Sequence, residues 1–177
     1  MNNIWEFTII ATGISPEQDD FADRFAAAGC EDATLSFQKG VIILEFAREA
    51  KNFLHALTSA FEAVQKAGAK VVRFEPDHLV SLTDIAVRTG LSKAAISLYA
   101  KGARGADFPG PVARFTSTTP LWDWAEVAHW MHKHDHIPQE MVLEARMVRE
   151  ANRLAMSNDK LDVRELSERL IRDCVAA

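Results

Sequence analysis

The chain has 177 residues, 48% of them apolar and 25% charged, and a net charge of −5. That composition suits a globular core and excludes a collagenous or wholly disordered chain. No run of about 18 apolar residues offers a membrane span, and "MNNIWEFTIIATG" lacks the basic flank and small-residue cleavage site of a secretory leader. The two cysteines, Cys30 and Cys174, match no metal or redox spacing, so reduced thiols and a cytoplasmic setting are expected, nucleoid-associated if DNA is bound.

In chain order, "WEFTIIA" (Trp5 to Ala11) is β-branched and aromatic and predicts a strand. Ser15, Pro16 and Gln18 form a helix-start pattern with a capping box, and Phe21, Phe25 and Ala28 continue at helical spacing up to Gly29. "DATLSF" alternates, Gln38-Lys39-Gly40 is a turn, and "VIILEF" (Val41 to Phe46) is the next strand. The pattern repeats: Asn52 caps a helix striped by Phe53 or Leu54, Leu57, Phe61 and Val64, Gly68 ends it, and "KVVRF" (Lys70 to Phe74) is a strand. This order predicts a ferredoxin-like βαββαβ domain over residues 1–76.

"LTDIAVRTGLSKAAISLYAKG" (Leu82 to Gly102) follows a short Pro-containing link. It reads as two helices joined by a tight turn. Gly90 allows a left-handed backbone, and Ala86, four residues earlier, lets the helices approach. Ile85, Leu91, Ile96 and Tyr99 fill the wedge between them, Ser81 and Ser92 sit at the N-caps, and Asp84 completes a capping box with Ser81. The second helix is left with Lys93, Ala94, Ser97, Leu98 and Lys101 outward, a face for the major groove. Residues 77–118 hold five Lys/Arg against three Asp/Glu, a positive balance in an acidic chain.

Beyond it, Val112 to Phe115 and "PLWDW" predict the two strands of a wing around "TSTT" (Thr116 to Thr119), before a helix carrying Val127, Trp130 and Met131. Arg114 and the hydroxyls of Thr116, Ser117, Thr118 and Thr119 are placed for backbone or minor groove. From Ile137 onward the pattern is helical. Pro138 opens one helix to about Ala155, "SNDK" (Ser157 to Lys160) breaks it, and a second carries Val163, Leu166, Leu170 and Cys174 to about Val175. The alternating charges of "REANR" and "RELSER" read as a solvated face.

The stretch "LVSLTDIAVRTGLSKAAISLYAKG…FPGPVARF…LWDWAEVAHW" resembles the winged helix-turn-helix of the AlpA/excisionase-type branch of the MerR-like superfamily. Phe108, Pro109, Pro111, Val112, Trp122, Val127 and Trp130 carry the match, which spans residues 78–133, about a third of the chain. The resemblance implies DNA binding by a small bacterial or phage regulator. One departure is that Ala94 and Leu98 occupy positions where Gln, Asn or Arg would read bases.

"HWMHKHDH" sets His129, His132, His134 and His136 close together, but no cysteine or paired spacing accompanies them, and a helix C-terminus favours histidine without a metal. No phosphate-binding Gly loop, G-x-S-x-G or H-E-x-x-H is present. No catalytic residue, metal or cofactor is therefore assigned, and the chain is not expected to be an enzyme.

The expected fold is α+β: a ferredoxin-like domain over 1–76, a winged helix-turn-helix over 77–136 and a C-terminal helical hairpin over 137–177. The expected function is sequence-selective binding of double-stranded DNA in transcription regulation. Arg88, Ser92, Lys93, Ala94, Ser97, Leu98, Lys101, Arg104, Arg114 and Thr116 form the interface, with Arg88 and Arg104 on phosphates. The C-terminal helices or the N-terminal domain offer a homodimer contact. The alternative is an antitoxin-like or other protein-interaction module whose DNA binding is autoregulatory.

Overall fold

The computed structural model describes residues 2–157 and 160–175. Among them the fold is α+β, with a four-stranded antiparallel sheet, a second two-stranded pairing and seven α-helices. It divides into two compact units, Met1–Pro76 with Glu150–Ala177, and Asp77–Arg149. The stretch 137–177, expected as a C-terminal helical hairpin, is divided between them at Arg149/Glu150. No helix of the described residues is long and apolar enough to cross a membrane.

In the first unit, β1 (Asn3–Thr12), α1 (Phe21–Ala27), β2 (Ala33–Gln38), β3 (Val41–Ala50), α2 (Phe53–Lys66) and β4 (Lys70–Glu75) follow in chain order. The sheet order is β2-β3-β1-β4. Side chains alternate across a strand, so Phe7, Ile9 and Ala11 share one face of β1. Phe7 pairs with Phe46, and Ile9 lies between Leu44 and Phe74. These residues are buried with Leu57, Phe61 and Val64 of α2. Asn52 accepts the His55 N–H and caps α2.

The predicted helix start at Ser15 does not form. Ser15 Oγ instead accepts from the Glu17 N–H, Gln18 Oε1 accepts from Arg24, and residues 15–20 make turns before α1 begins after Asp20. Local side-chain bonds here compete with the helix they were expected to cap.

Among the described residues of this unit, one charge is buried. Arg48, 8% exposed, donates to Asp32 at 2.8 and 2.7 Å, to the Gly29 carbonyl and to Ser59 Oγ, and lies over the Phe46 ring. The fork geometry of a guanidinium lets every face of the group find a partner. The nearby Cys30 thiol is pushed up to about 11 by burial, only partly offset by the Arg48 charge.

The C-terminal residues of this unit include α7 (Val163–Leu170), capped by Asp162 and continuing into a π-helical turn over Ile171–Val175. Leu166, Leu170 and Cys174 are buried, and α7 packs on α2. The Gln65 amide donates to the Leu161 carbonyl at 2.7 Å. Of the predicted break "SNDK", Asn158 and Asp159 lie outside the described residues.

The second unit contains β5 (Leu79–Val80), α3 (Leu82–Thr89), α4 (Lys93–Ala100), β6 (Trp122–Asp123) and α5 (Trp124–Lys133), and α6 (Gln139–Ser157) begins within it. Its core holds Val80, Ile85, Ile96, Tyr99, Trp122, Val127, Met131 and Val142. β5 pairs with β6, Leu79 opposite Asp123 and Val80 opposite Trp122. The expected strand over Val112 to Phe115 is absent as a regular strand. A single bridge joins Ala113 and Leu121, and the return segment pairs with β5. Pro111 and Pro120 lack the N–H a ladder needs, and Arg114 at φ 54 breaks the extended run.

Candidate nucleic-acid interface

Local hydrogen bonds build the α3–α4 pair. Ser81 Oγ accepts from the Asp84 N–H at 3.2 Å, while the Asp84 carboxylate accepts from both the N–H and the hydroxyl of Ser81, at 2.8 and 2.7 Å. These bonds from Ser81 hold the Asp84 carboxyl below its usual range. Gly90 ends α3 at φ 70, a left-handed conformation that costs a β-carbon dearly. Ser92 Oγ accepts from the Ala95 N–H at 3.1 Å and starts α4. Ile85, Ala86, Ile96 and Tyr99 are buried on the inner side of the pair.

The burial of Ile96 and Tyr99 turns the other side of α4 outward. Lys93, Ala94, Leu98 and Lys101 are exposed, Ser97 is half-buried, and Ser92 is exposed with its hydroxyl engaged in the cap. One ammonium stands at each end of the helix, with a small apolar strip between them. This face can hold two phosphates and make van der Waals contact with thymine methyls.

Arg88 is placed elsewhere. It is half-buried, donates to the Asp77 carbonyl at 2.8 Å, and lies over the Trp124 ring at 5.2 Å. Burial draws its pKa down, against the attraction of Asp84 and Asp77, and its Nη1 has no hydrogen-bond partner. The guanidinium expected on a phosphate is committed to the fold.

Arg104 is exposed, 5.5 Å over the Tyr99 ring. Its loop is held by two indoles. Trp130 Nε1 donates to the Ala106 carbonyl at 2.9 Å, and Trp122 Nε1 to the Pro109 carbonyl at 3.0 Å. Phe108 meets Trp130 edge-on at 5.0 Å. Gly105, at φ 71, lies so close that a β-carbon there would fall 2.8 Å from the Trp130 ring. Sequence pattern singles out both tryptophans, but nothing in it shows which carbonyls they hold.

Arg114 and Thr116 are exposed on the hairpin tip, where the Ser117 N–H donates to the Arg114 carbonyl at 2.9 Å. Phe115 between them is 70% exposed, and Val112 and Leu98 are also exposed. In the sequence Phe115 reads as the end of the first wing strand; its place between Arg114 and Thr116 beside a turn is the one sign that its ring is exposed.

The histidines are tied to this framework. The Ile137 carbonyl accepts from His132 Nδ1 at 3.0 Å, and the Trp130 carbonyl from His134 Nδ1 at 2.8 Å. His134 stacks on Trp130 at 3.8 Å, and His136 Nε2 lies 3.2 Å from the Tyr99 hydroxyl. Burial and the charges of Lys133 and Arg146 lower the His129 pKa. Among the described residues no group of three or more His, Cys, Asp or Glu is placed to hold a metal ion.

No protein-family model, curated protein or solved structure matches the chain.

Proposed function

We propose that the Asp77–Arg149 unit is a winged helix-turn-helix of the AlpA/excisionase type, and that the chain is a DNA-binding transcriptional regulator of a bacterium or phage, acting at the nucleoid. The observation that carries this reading is α4 itself: Lys93, Ala94, Leu98 and Lys101 exposed opposite the buried Ile96 and Tyr99. On this reading α4 lies in the major groove, Lys93 and Lys101 neutralise phosphates, and residues 112–122 are the wing, with Arg114 and Thr116 on backbone or minor groove. Arg104 lies on a phosphate from the loop that Trp130 holds. The first unit, with sheet order β2-β3-β1-β4, is a ferredoxin-like domain.

The test is fluorescence-anisotropy titration of the full chain on the DNA upstream of its own gene and on scrambled DNA, at two salt concentrations. A preference of about a thousandfold with a steep salt slope supports a specific regulator. Salt-independent or undetectable binding removes the reading.

A second reading, a protein-interaction module with autoregulatory DNA binding, has one observation in its favour. The sheet face away from α2 exposes Glu6, Glu45 and Glu49 beside Ile4, which repels nucleic acid and suits a cationic protein segment. A basic neighbouring gene product that co-purifies with the chain, and is lost on a Glu45→Lys/Glu49→Lys double change, would favour it.

A further inference from the structure

α4 is poorly equipped for hydrogen-bonded base reading. Asn, Gln and Arg, which read base edges in bidentate fashion, are absent from Lys93 to Lys101. The exposed positions between its lysines are Ala94 and Leu98. A DNA reader so built adds to its few α4 base contacts a selectivity drawn from how readily the duplex deforms.

The hairpin tip supplies the means. Phe115, 70% exposed, is the most exposed phenylalanine among the described residues. It sits in the tight turn made by the left-handed Arg114 and the bond from the Ser117 N–H to the Arg114 carbonyl. The bridge between Ala113 and Leu121 closes the hairpin behind it. Between Asp107 and Asp123 the chain carries no carboxylate, and Thr116 to Thr119 are small hydroxyl residues. A tip without carboxylates and with small hydroxyl side chains suits the minor groove of a polyanion. Arginine and hydroxyls there bond the backbone while an apolar side chain enters a base step.

We infer that Phe115 is a wedge that enters a base step from the minor groove, so that the chain bends its DNA and favours flexible pyrimidine–purine steps. The inference rests on the DNA-binding reading above. Unstacking one step is least costly at TA and CA, which is how a single ring confers sequence preference.

The experiment enriches binders from random short duplexes with the full chain at low salt. The enriched duplexes then carry dyes at both ends and a fluorescent adenine analogue at each pyrimidine–purine step. Wild-type chain is expected to shorten the dye-to-dye distance and brighten the analogue at one step. Phe115→Ala is expected to bind about tenfold more weakly, as for loss of one base–aromatic contact, and to leave the duplex straight and the analogue dark. Phe115→Leu, still an apolar wedge, is expected to restore bending, and the exposed site leaves the melting temperature of both variants unchanged. A straight duplex under bound wild-type chain, or equal bending by Phe115→Ala, overturns the wedge and leaves the DNA reading intact. No enrichment over a Lys93→Glu control overturns both.

Discussion

Asn152 clamps the edge of the sheet at Phe74. Its side-chain oxygen accepts the Phe74 N–H at 2.7 Å and its nitrogen donates to the Phe74 carbonyl at 2.9 Å. Asn152 is fully buried. A carboxamide offers one donor and one acceptor in a plane, and here it stands in for a neighbouring strand on the open side of β4. Replacement by Leu leaves a buried N–H and C=O unpaired, and a loss of about 2–3 kcal/mol is expected. Urea unfolding of Asn152→Leu measures it; a loss no larger than at an exposed site would mean that water replaces the amide.

Lys93 and Ser97 are expected to separate affinity from preference. Lys93→Glu should weaken binding to every duplex and flatten the salt slope by about one or two phosphates. Ser97→Ala and Leu98 substitutions should change which sequences are preferred. Anisotropy titrations over a salt series distinguish the two, and an unchanged Lys93→Glu titration would take α4 out of the interface.

Arg88 is expected to behave as part of the fold. Its guanidinium donates to the Asp77 carbonyl and lies over Trp124. Arg88→Met should lower stability by about 1 kcal/mol and leave the salt slope of DNA binding as it was. A slope reduced by about one phosphate in this variant would return Arg88 to the DNA.

Gly105→Ala tests the loop that carries Arg104. A β-carbon at φ 71 and 2.8 Å from Trp130 is strained twice over. The left-handed conformation alone accounts for about 1–2 kcal/mol. A lowered melting temperature together with a red-shifted tryptophan emission is expected. Unaltered emission would show that the loop is not held against the indole.

Alkaline pH should find Cys30. Its thiol titrates at about 11 in the folded chain against an ordinary 9.0. The folded state therefore keeps a proton that the unfolded chain releases. Its contribution is full below 9.0 and is lost as pH rises toward about 11. Denaturation midpoints of wild type and Cys30→Ala, compared across that window, should diverge, with the variant falling less. Parallel curves would place the thiol in its ordinary range.

Much of the α3–α4 pair is legible in the chain. Ser81 with Asp84, Gly90, and Ser92 with Ala95 act within a turn of helix, where spacing and residue type decide the geometry. The burial of Ile96 and Tyr99, and hence the outward set of α4, likewise follows from helical period. The alternation of β1 and β3 and the Asn52 cap are of the same local kind.

Other features depended on partners far along the chain. "REANR" reads as a solvated face, but only Arg153 is exposed: Glu150, its partner, is mostly covered, Arg149 meets Asp123 and Glu126, and Asn152 is buried on Phe74, 78 residues away. Arg88 has the spacing of a surface cation but meets Trp124. The four histidines stand close together in the sequence, which does not show what each bonds, and three of them meet carbonyls or a hydroxyl set by the α5 turn and Tyr99. Sequence by itself determined the caps of α2, α3 and α4 and the exposed side of α4, because those rest on bonds a few residues long, whereas the start of α1 and the first wing strand did not follow from it. Tertiary structure alone decided which polar groups are used up inside the fold, because a donor takes whichever acceptor packing brings within hydrogen-bond reach.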